Sequence, residues 1–143
     1  VIHLSGPYGN FTLPQQLDRD LLFVARYTGL VPIRCMLKQL YAQRQTDTIL
    51  LIAVAPAEDE FLFHQELLTV AVTYPKFRYL SLVASEGAQQ AVELVRPMLR
   101  PLIEKAPKVI PMLCGTKGFV RPLRAYFVEA GYDRKEVKTE TYD

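Results

Sequence analysis

Apolar runs alternate with longer segments of mixed polarity along most of this chain. Four apolar runs and a shorter final segment predict five strands, at residues 21–25, 48–54, 77–84, 109–113 and 136–142. Apolar runs bounded by turn residues are typical of strands that are buried on both faces, as in a parallel sheet covered by helices.

The segments between the strands predict four helices. Pro32 suits the first turn of the first helix, whose apolar face recurs at Met36, Leu37, Leu40 and Tyr41. The other three helices are expected at residues 58–72, 88–105 and 117–130. Pro97 and Pro101 should interrupt or shorten the third helix, because proline removes a helical hydrogen bond. Gly131 is the expected C-cap of the fourth helix.

Alternating strands and helices indicate βαβ units with right-handed crossovers. The sequence therefore predicts an α/β fold of three layers (α/β/α) around a five-stranded, parallel, Rossmann-like sheet. A length of 143 residues fits one domain. Ahead of it we expect short strands at residues 1–4 and 11–13, a turn cluster at 5–10 and a polar linker at 14–20. Because the chain starts at Val1 in an apparent strand, we expect it to be part of a longer protein.

Composition removes several classes of function. A formal net charge of +2 gives no reason to expect nucleic acid or an anionic membrane as a partner. No apolar run approaches the ~20 residues that span a bilayer. Cys35 and Cys114 suggest neither a disulfide framework nor a metal site, so we expect a reducing cytoplasm, with Cys35 in the core.

The candidate chemistry lies where two strands end. The strand at 21–25 leads into Arg26, Thr28, Gly29 and Pro32. Open α/β sheets bind ligands outside the carboxyl ends of their strands, where helix N-termini point at the ligand. Here Gly29 would let the backbone approach a phosphate, Thr28 would donate a hydrogen bond, and Arg26 would add a charge-assisted contact. The alternative is an ordinary strand-to-helix turn.

The second strand end carries Cys114, Gly115 and Thr116. A cysteine between a strand and a helix is expected to have a lowered thiol pKa. The alternative is a buried cysteine that packs as a small hydrophobic residue. Thr116 can serve as the N-cap of the last helix. On that helix Lys117, Arg121 and Arg124 form either a solvated face or a docking patch for an acidic electron-transfer protein.

Taken in order, five segments resemble the pyridine-nucleotide-binding half of the ferredoxin–NADP reductase superfamily. They are Ser-Gly-Pro-Tyr-Gly-Asn-Phe at 5–11, Thr-Gly-Leu-Val-Pro at 28–32, Phe-Leu-Phe-His-Gln-Glu-Leu at 61–67, the Cys114-Gly115 turn, and Thr-Glu-Thr-Tyr-Asp at 139–143. Two features depart from the family pattern. Ala25, Arg26 and Tyr27 stand where further glycines are usual, and Thr116 stands where proline is common.

The resemblance implies that the chain helps to pass electrons from NADH or NADPH to FAD. Residues 1–18 would then be the tail of an absent flavin-binding β-barrel and its linker, and residues 19–143 the NAD(P)-binding domain. That flavin domain would hold most of the FAD, so this chain alone would be inactive. An electron-acceptor protein is a further implied partner. Cys114 and Glu140 would lie at the hydride-transfer site, beside Gly115, and Tyr142 would stack at the flavin edge.

Charge bears on the choice of nicotinamide cofactor. NADP-selective relatives often have a Ser-Arg pair after the third strand, whereas this chain has Ser85 followed by Glu86. An acid near the ribose repels a 2′-phosphate and accepts hydrogen bonds from a free diol, which favours NADH. The alternative is a solvated loop acid. A second functional hypothesis is a degenerate relative that acts as a regulatory or subunit-docking module, because the loop at 25–27 lacks glycine.

Overall fold

The computed structural model describes residues 2–3, 9–43, 47–105 and 108–143. Five parallel strands form one sheet in the order β3-β2-β1-β4-β5. The strands are β1 Leu21–Arg26, β2 Ile49–Ala55, β3 Phe77–Val83, β4 Ile110–Gly115 and β5 Lys138–Thr141. The helices are α1 Leu30–Ala42, α2 His64–Thr73, α3 Ala88–Ile103 and α4 Lys117–Glu129, with 3₁₀ turns at Tyr27–Gly29 and Glu58–Glu60.

Helices cover both faces of the sheet, and the predicted three-layer α/β fold is confirmed. On β1, Leu22 and Val24 face the cluster formed with α3 and α4. Leu21 and Phe23 face the opposite cluster, formed with α1 and α2. All four side chains are at most 1% exposed. The central strands are therefore held rigidly between two apolar layers, which fixes the loops at their carboxyl ends.

The long helix predicted at residues 58–72 is wrong in its first half. Glu58–Glu60 forms only a 3₁₀ turn, and α2 begins at His64 after Phe63, whose φ of 57° is left-handed. Phe63 packs against the α1/α2-side cluster, and the Arg34 guanidinium lies 4.3 Å from its ring centroid. These contacts offset the cost of a left-handed aromatic residue, about 1–2 kcal/mol.

The interruption predicted for the third helix is also wrong, because α3 runs unbroken through Pro97 and Pro101. Both prolines lie on the exposed face of the helix. The opposite face buries Ala91, Val92, Val95 and Leu99. That apolar stripe holds the helix together despite the hydrogen bonds that the prolines remove.

Cys35 is exposed on α1, so its predicted place in the core is wrong. Helical spacing explains this, because Ile33, Met36, Leu37 and Leu40 take the buried face. Near the amino terminus, residues 11–13 form no strand, although Phe11, Leu13 and Leu17 pack against the α1/α2-side cluster. The strand at 1–4 and the turn cluster at 5–10 lie mostly outside the described residues. Within the described part, no helix is long and apolar enough to cross a bilayer.

Candidate functional site

The two strand ends singled out in the sequence meet in one crevice. β1 and β4 are adjacent parallel strands, and Ala25 pairs in register with Cys114. The loop after β1 presses directly on the end of β4. A Cβ atom on Gly29 would lie 2.4 Å from the Cys114 carbonyl oxygen. The backbone angles of Gly29 suit any residue (φ −57°), so this contact alone requires glycine.

A pocket of about 760 Å³ opens at this crevice, within the size range of ligand sites. Four of the predicted site residues line it: Thr28, Pro32, Glu140 and Tyr142. The remaining lining residues were not predicted as site residues, namely Gly9, Phe11, Thr12 and Val31. Three of these come from the amino-terminal segment, so that segment supplies part of the pocket wall.

Tyr142 bridges the two loops. Its phenolic oxygen lies 3.1 Å from the Cys114 sulfur and 3.4 Å from the Thr28 carbonyl oxygen, to which it donates. Its backbone N–H donates to the Gly115 carbonyl at 3.3 Å. Burial and the hydrogen bond to Cys114 raise the pKa of Tyr142 above its ordinary value. The tyrosine is therefore neutral at ordinary pH and holds the β1 and β4 loops together.

Cys114 does not have the lowered pKa that its position suggested. The strand β4 extends through Gly115, so the thiol is fully buried at the end of the sheet. Burial raises the pKa of Cys114 to about 11. The neutral thiol thus contributes packing and one hydrogen bond rather than a reactive thiolate.

We expect the two thiols to react at very different rates. At neutral pH a disulfide reagent should modify exposed Cys35 readily and buried Cys114 at least about tenfold more slowly, since the reagent must reach the sulfur and only the thiolate attacks. The number of thiols that react is measured from the chromophore that the reagent releases, over time, in the folded chain and in the denatured chain. Equal rates in the folded chain would contradict the burial of Cys114.

The same thiol makes stability depend on pH in alkaline solution. The unfolded chain releases the Cys114 proton near pH 9, whereas the folded chain keeps it until about pH 11. Unfolding therefore releases a proton in that window, and the free energy of unfolding should fall as pH rises through it. Denaturant melts of wild type and Cys114→Ala at several pH values test this. Between pH 9 and pH 11 the free energy of unfolding should fall less steeply with pH in the alanine variant than in wild type.

The glycine-poor loop has a strained backbone. Tyr27 adopts φ 50°, a left-handed conformation that favours glycine, and its side chain is 42% exposed. The preceding Arg26 ends β1 and is half-buried, and its side chain makes no hydrogen bond or ion pair within the described part of the chain. An unpaired guanidinium thus lies next to a strained turn at the mouth of the crevice.

The last residue of the sequence caps α4. Thr116 occupies the N-cap position, and its carbonyl accepts from the N–H groups of Phe119 and Val120, but its side chain makes no capping bond. A carboxylate oxygen of Asp143 instead accepts from the Lys117 backbone N–H at 2.6 Å. The prediction that Thr116 is the N-cap residue of α4 is therefore confirmed, although Asp143 and not the Thr116 side chain makes the side-chain capping bond. The acid follows Tyr142 directly, and helix N-termini favour acids, but no local pattern links residues 26 positions apart.

Ser85 and Glu86 lie apart from this pocket. They follow β3, which is two strands away from β1 in the sheet, and both are exposed. The Glu86 backbone N–H donates to the Gln90 side chain at 2.9 Å. No three His, Cys, Asp or Glu side chains within the described residues are grouped so as to hold a metal ion.

Two oxidoreductases are similar in sequence to this chain. An NADPH oxidoreductase from Mycobacterium tuberculosis is 31% identical over 96 residues, which cover 67% of this chain and 25% of that protein. A ferredoxin–NADP reductase B from Sorangium cellulosum is 28% identical over 154 aligned residues, covering 100% of this chain and 62% of that protein. The chain thus spans less than two thirds of each relative.

Solved structures show the same fold. A ferredoxin-NADP+ reductase from Plasmodium falciparum superposes with a TM-score of 0.80 at 21% identity, over 94% of this chain and 59% of that one. A flavohemoglobin from Malassezia yamatoensis with bound FAD and heme superposes with a TM-score of 0.76 at 23% identity. The superposition covers 97% of this chain and 36% of that one. The sequence pattern of one family, the oxidoreductase NAD-binding domain, matches residues 23–125. The chain belongs to this family of oxidoreductase NAD-binding domains.

Proposed function

We propose that the chain is the pyridine-nucleotide-binding part of a flavin-dependent oxidoreductase, which takes electrons from NADH and delivers them to FAD. One observation carries this proposal. The ends of two adjacent parallel strands, β1 and β4, enclose a single crevice in which Gly29 lies against the Cys114 carbonyl. Crevices at the carboxyl ends of parallel strands are where open α/β folds bind nucleotides.

The residues around the crevice suit a dinucleotide. Gly29 leaves no side chain between the loop and β4, and the N-terminus of α1, the positive end of the helix dipole, follows directly. Thr28 lines the pocket, and Arg26, two residues earlier, is a cation without an ion pair among the described residues. We assign Arg26, Thr28, Gly29 and Pro32 to the phosphates and adjoining ribose.

At the other wall, Cys114, Gly115, Thr116 and Glu140 would flank the nicotinamide. Glu140 lines the pocket and pairs in register with Cys114. The buried, neutral thiol excludes water there without adding charge. Tyr142 offers an aromatic surface for the flavin edge. The bound nicotinamide supplies a hydride and FAD accepts it.

The flavin would be held mainly by another part of the same protein. The chain spans only 25% and 62% of two relatives, which supports the proposal that the complete activity requires a longer protein. We infer that residues 1–18 join a flavin-binding domain to this one, and that the domain begins near residue 19. The exposed, free Cys35 suits a reducing cytoplasm.

An anaerobic titration tests this function. The longer protein, loaded with FAD, is mixed with NADH while the flavin absorbance is followed. We expect the oxidised flavin bands to bleach stoichiometrically at NADH concentrations below about 1 mM, an affinity that ordinary nucleotide sites reach. A flavin that keeps its oxidised spectrum throughout would end the proposal.

A second function is favoured by Tyr27. A left-handed aromatic residue at the phosphate loop would hinder the pyrophosphate, as expected of a domain that keeps its fold as a regulatory or subunit-docking module. Nucleotide affinity that appears only after Tyr27→Gly would support this alternative over the enzyme.

We propose that NADH is preferred over NADPH. The ends of β2 and β3 carry Glu58, Asp59, Glu60 and Glu86, and no lysine or arginine occurs between residues 55 and 63 or between 84 and 95. We infer that the adenosine end of the nucleotide extends beyond the pocket towards the ends of β2 and β3, where these four carboxylates would repel a 2′-phosphate.

Reversing one of these charges should shift the preference. Glu86→Arg should raise the affinity for NADPH relative to NADH by about tenfold, since a charge-assisted hydrogen bond contributes roughly 1.5–3 kcal/mol. Equilibrium titrations with both cofactors measure the ratio. Glu93→Arg on the exposed side of α3 is the matched control and should leave it unchanged. If the NADPH-to-NADH affinity ratio changes equally in Glu86→Arg and Glu93→Arg, the adenosine end of the cofactor does not lie beside Glu86.

A further inference from the structure

A second pocket lies on the opposite side of β5 from the crevice. Side chains alternate along a strand, so Glu140 and Tyr142 line the crevice while Thr139 and Thr141 line the other pocket. This arginine pocket holds about 560 Å³ between β5 and α4. Its charged walls are Arg121, Arg124, Arg134 and Glu129.

Among the residues that the structure describes, the arginines in this pocket have no acidic partner. Arg124 donates one N–H to the Arg134 carbonyl at 3.2 Å, whereas its Nε is buried without a hydrogen-bond partner. Within the described residues none of the three arginines forms an ion pair, although Glu129 lines the same pocket. Burial and the nearby Arg134 lower the pKa of Arg124, as expected for like charges held together.

Such an arrangement is costly unless an anion joins it. A buried donor without a partner lowers the stability of the folded state, and neighbouring cations add repulsion. Both costs vanish when an oxyanion accepts from Arg124 Nε and neutralises the cluster. In the described part of the chain, no carboxylate takes that place.

We propose that the arginine pocket binds a phosphate group carried by a small organic molecule. Guanidinium groups match the oxygens of phosphate in geometry and charge, and the hydroxyls of Thr139 and Thr141 add two hydrogen-bonding groups. Three cations suit a dianion better than a single carboxylate. The pocket is larger than one phosphate ion needs and leaves room for an attached group. This site is independent of nucleotide binding in the crevice.

The experiment titrates the chain with inorganic phosphate and with glycerol 3-phosphate at constant ionic strength, by calorimetry. We expect saturable binding of both, tighter for the ester. Arg124→Gln and the exposed Arg134→Gln should each weaken binding by about tenfold, since each removes charge-assisted hydrogen bonds. Arg78→Gln changes the same charge on β3, at the other edge of the sheet, and should bind like wild type.

Four results would overturn the proposal. One is the absence of saturable phosphate binding below about 10 mM, where affinity is too weak for a built site. Another is an equal loss of phosphate affinity in Arg78→Gln and Arg134→Gln, which would indicate attraction by the overall positive charge. The third is displacement of phosphate by NADH, which would place the phosphate in the crevice. Binding of polyglutamate without saturable binding of phosphate would favour an acidic protein surface and also contradict the proposal.

Discussion

Replacing Gly29 by alanine should destabilise the fold and remove nucleotide binding together. The added Cβ would lie 2.4 Å from the oxygen and 2.8 Å from the carbon of the Cys114 carbonyl. Both are backbone atoms of a central strand, so the loop after β1 must move away from β4. We expect a loss of roughly 2–4 kcal/mol in the free energy of unfolding, at or above the usual cost of overpacking. Denaturant melts and NADH titration measure the two effects.

Gly118→Ala is the matched control on α4. Its added Cβ would meet the Ala88 Cβ at 3.5 Å, an ordinary contact, and alanine is the better helix former. We expect a change between zero and about 1 kcal/mol in favour of the folded state. If Gly29→Ala melts like wild type and still binds nucleotide, the close approach of the two loops does not define the site.

Replacing Tyr27 by glycine should increase nucleotide affinity by about tenfold or more, the largest gain expected from one substitution here. Glycine adopts φ 50° without strain and lets a pyrophosphate approach the backbone N–H groups. The free energy of unfolding should change by less than about 1 kcal/mol, because relief of strain is offset by the flexibility of glycine. Fluorescence titration with NADH measures the gain.

Phe63→Gly is the control for strain alone, because Phe63 is also left-handed but packs with Arg34 on α1. It should lower the free energy of unfolding and leave nucleotide affinity unchanged. Tyr27→Gly binding no better than wild type would show that the glycine-poor loop is not what limits affinity.

Sequence patterns were sufficient for the sheet and insufficient for breaks in helices. Apolar runs locate β1, β2 and β4 because strands covered on both faces need them. The break before α2 has no such signal, since nothing in the sequence around Phe63 favours a left-handed residue. It depends on packing of that ring against the sheet. At Pro97 the sequence predicted a break that does not occur, because burial of the other face of α3 outweighs a missing hydrogen bond.

The candidate site was predictable where it depends on strand ends. Thr28, Pro32, Glu140 and Tyr142 line one pocket because parallel strands end at the same edge. The pKa of Cys114 was not predictable, because two further residues of β4 decide whether the thiol is exposed or buried. The capping of α4 by Asp143 was likewise hidden, since it joins residues that only the tertiary fold brings together.

The central claim is that a pyridine nucleotide lies between the ends of β1 and β4. The most direct measurement is amide chemical-shift mapping of the chain during titration with NADH. We predict saturable shifts confined to the loop at 26–30, the turn at 114–117 and the strand end at 140–142, at the carboxyl edge of the sheet. Shifts centred on Asp20, Thr48 and Val109 at the opposite edge, or no shifts up to about 10 mM NADH, would contradict the account.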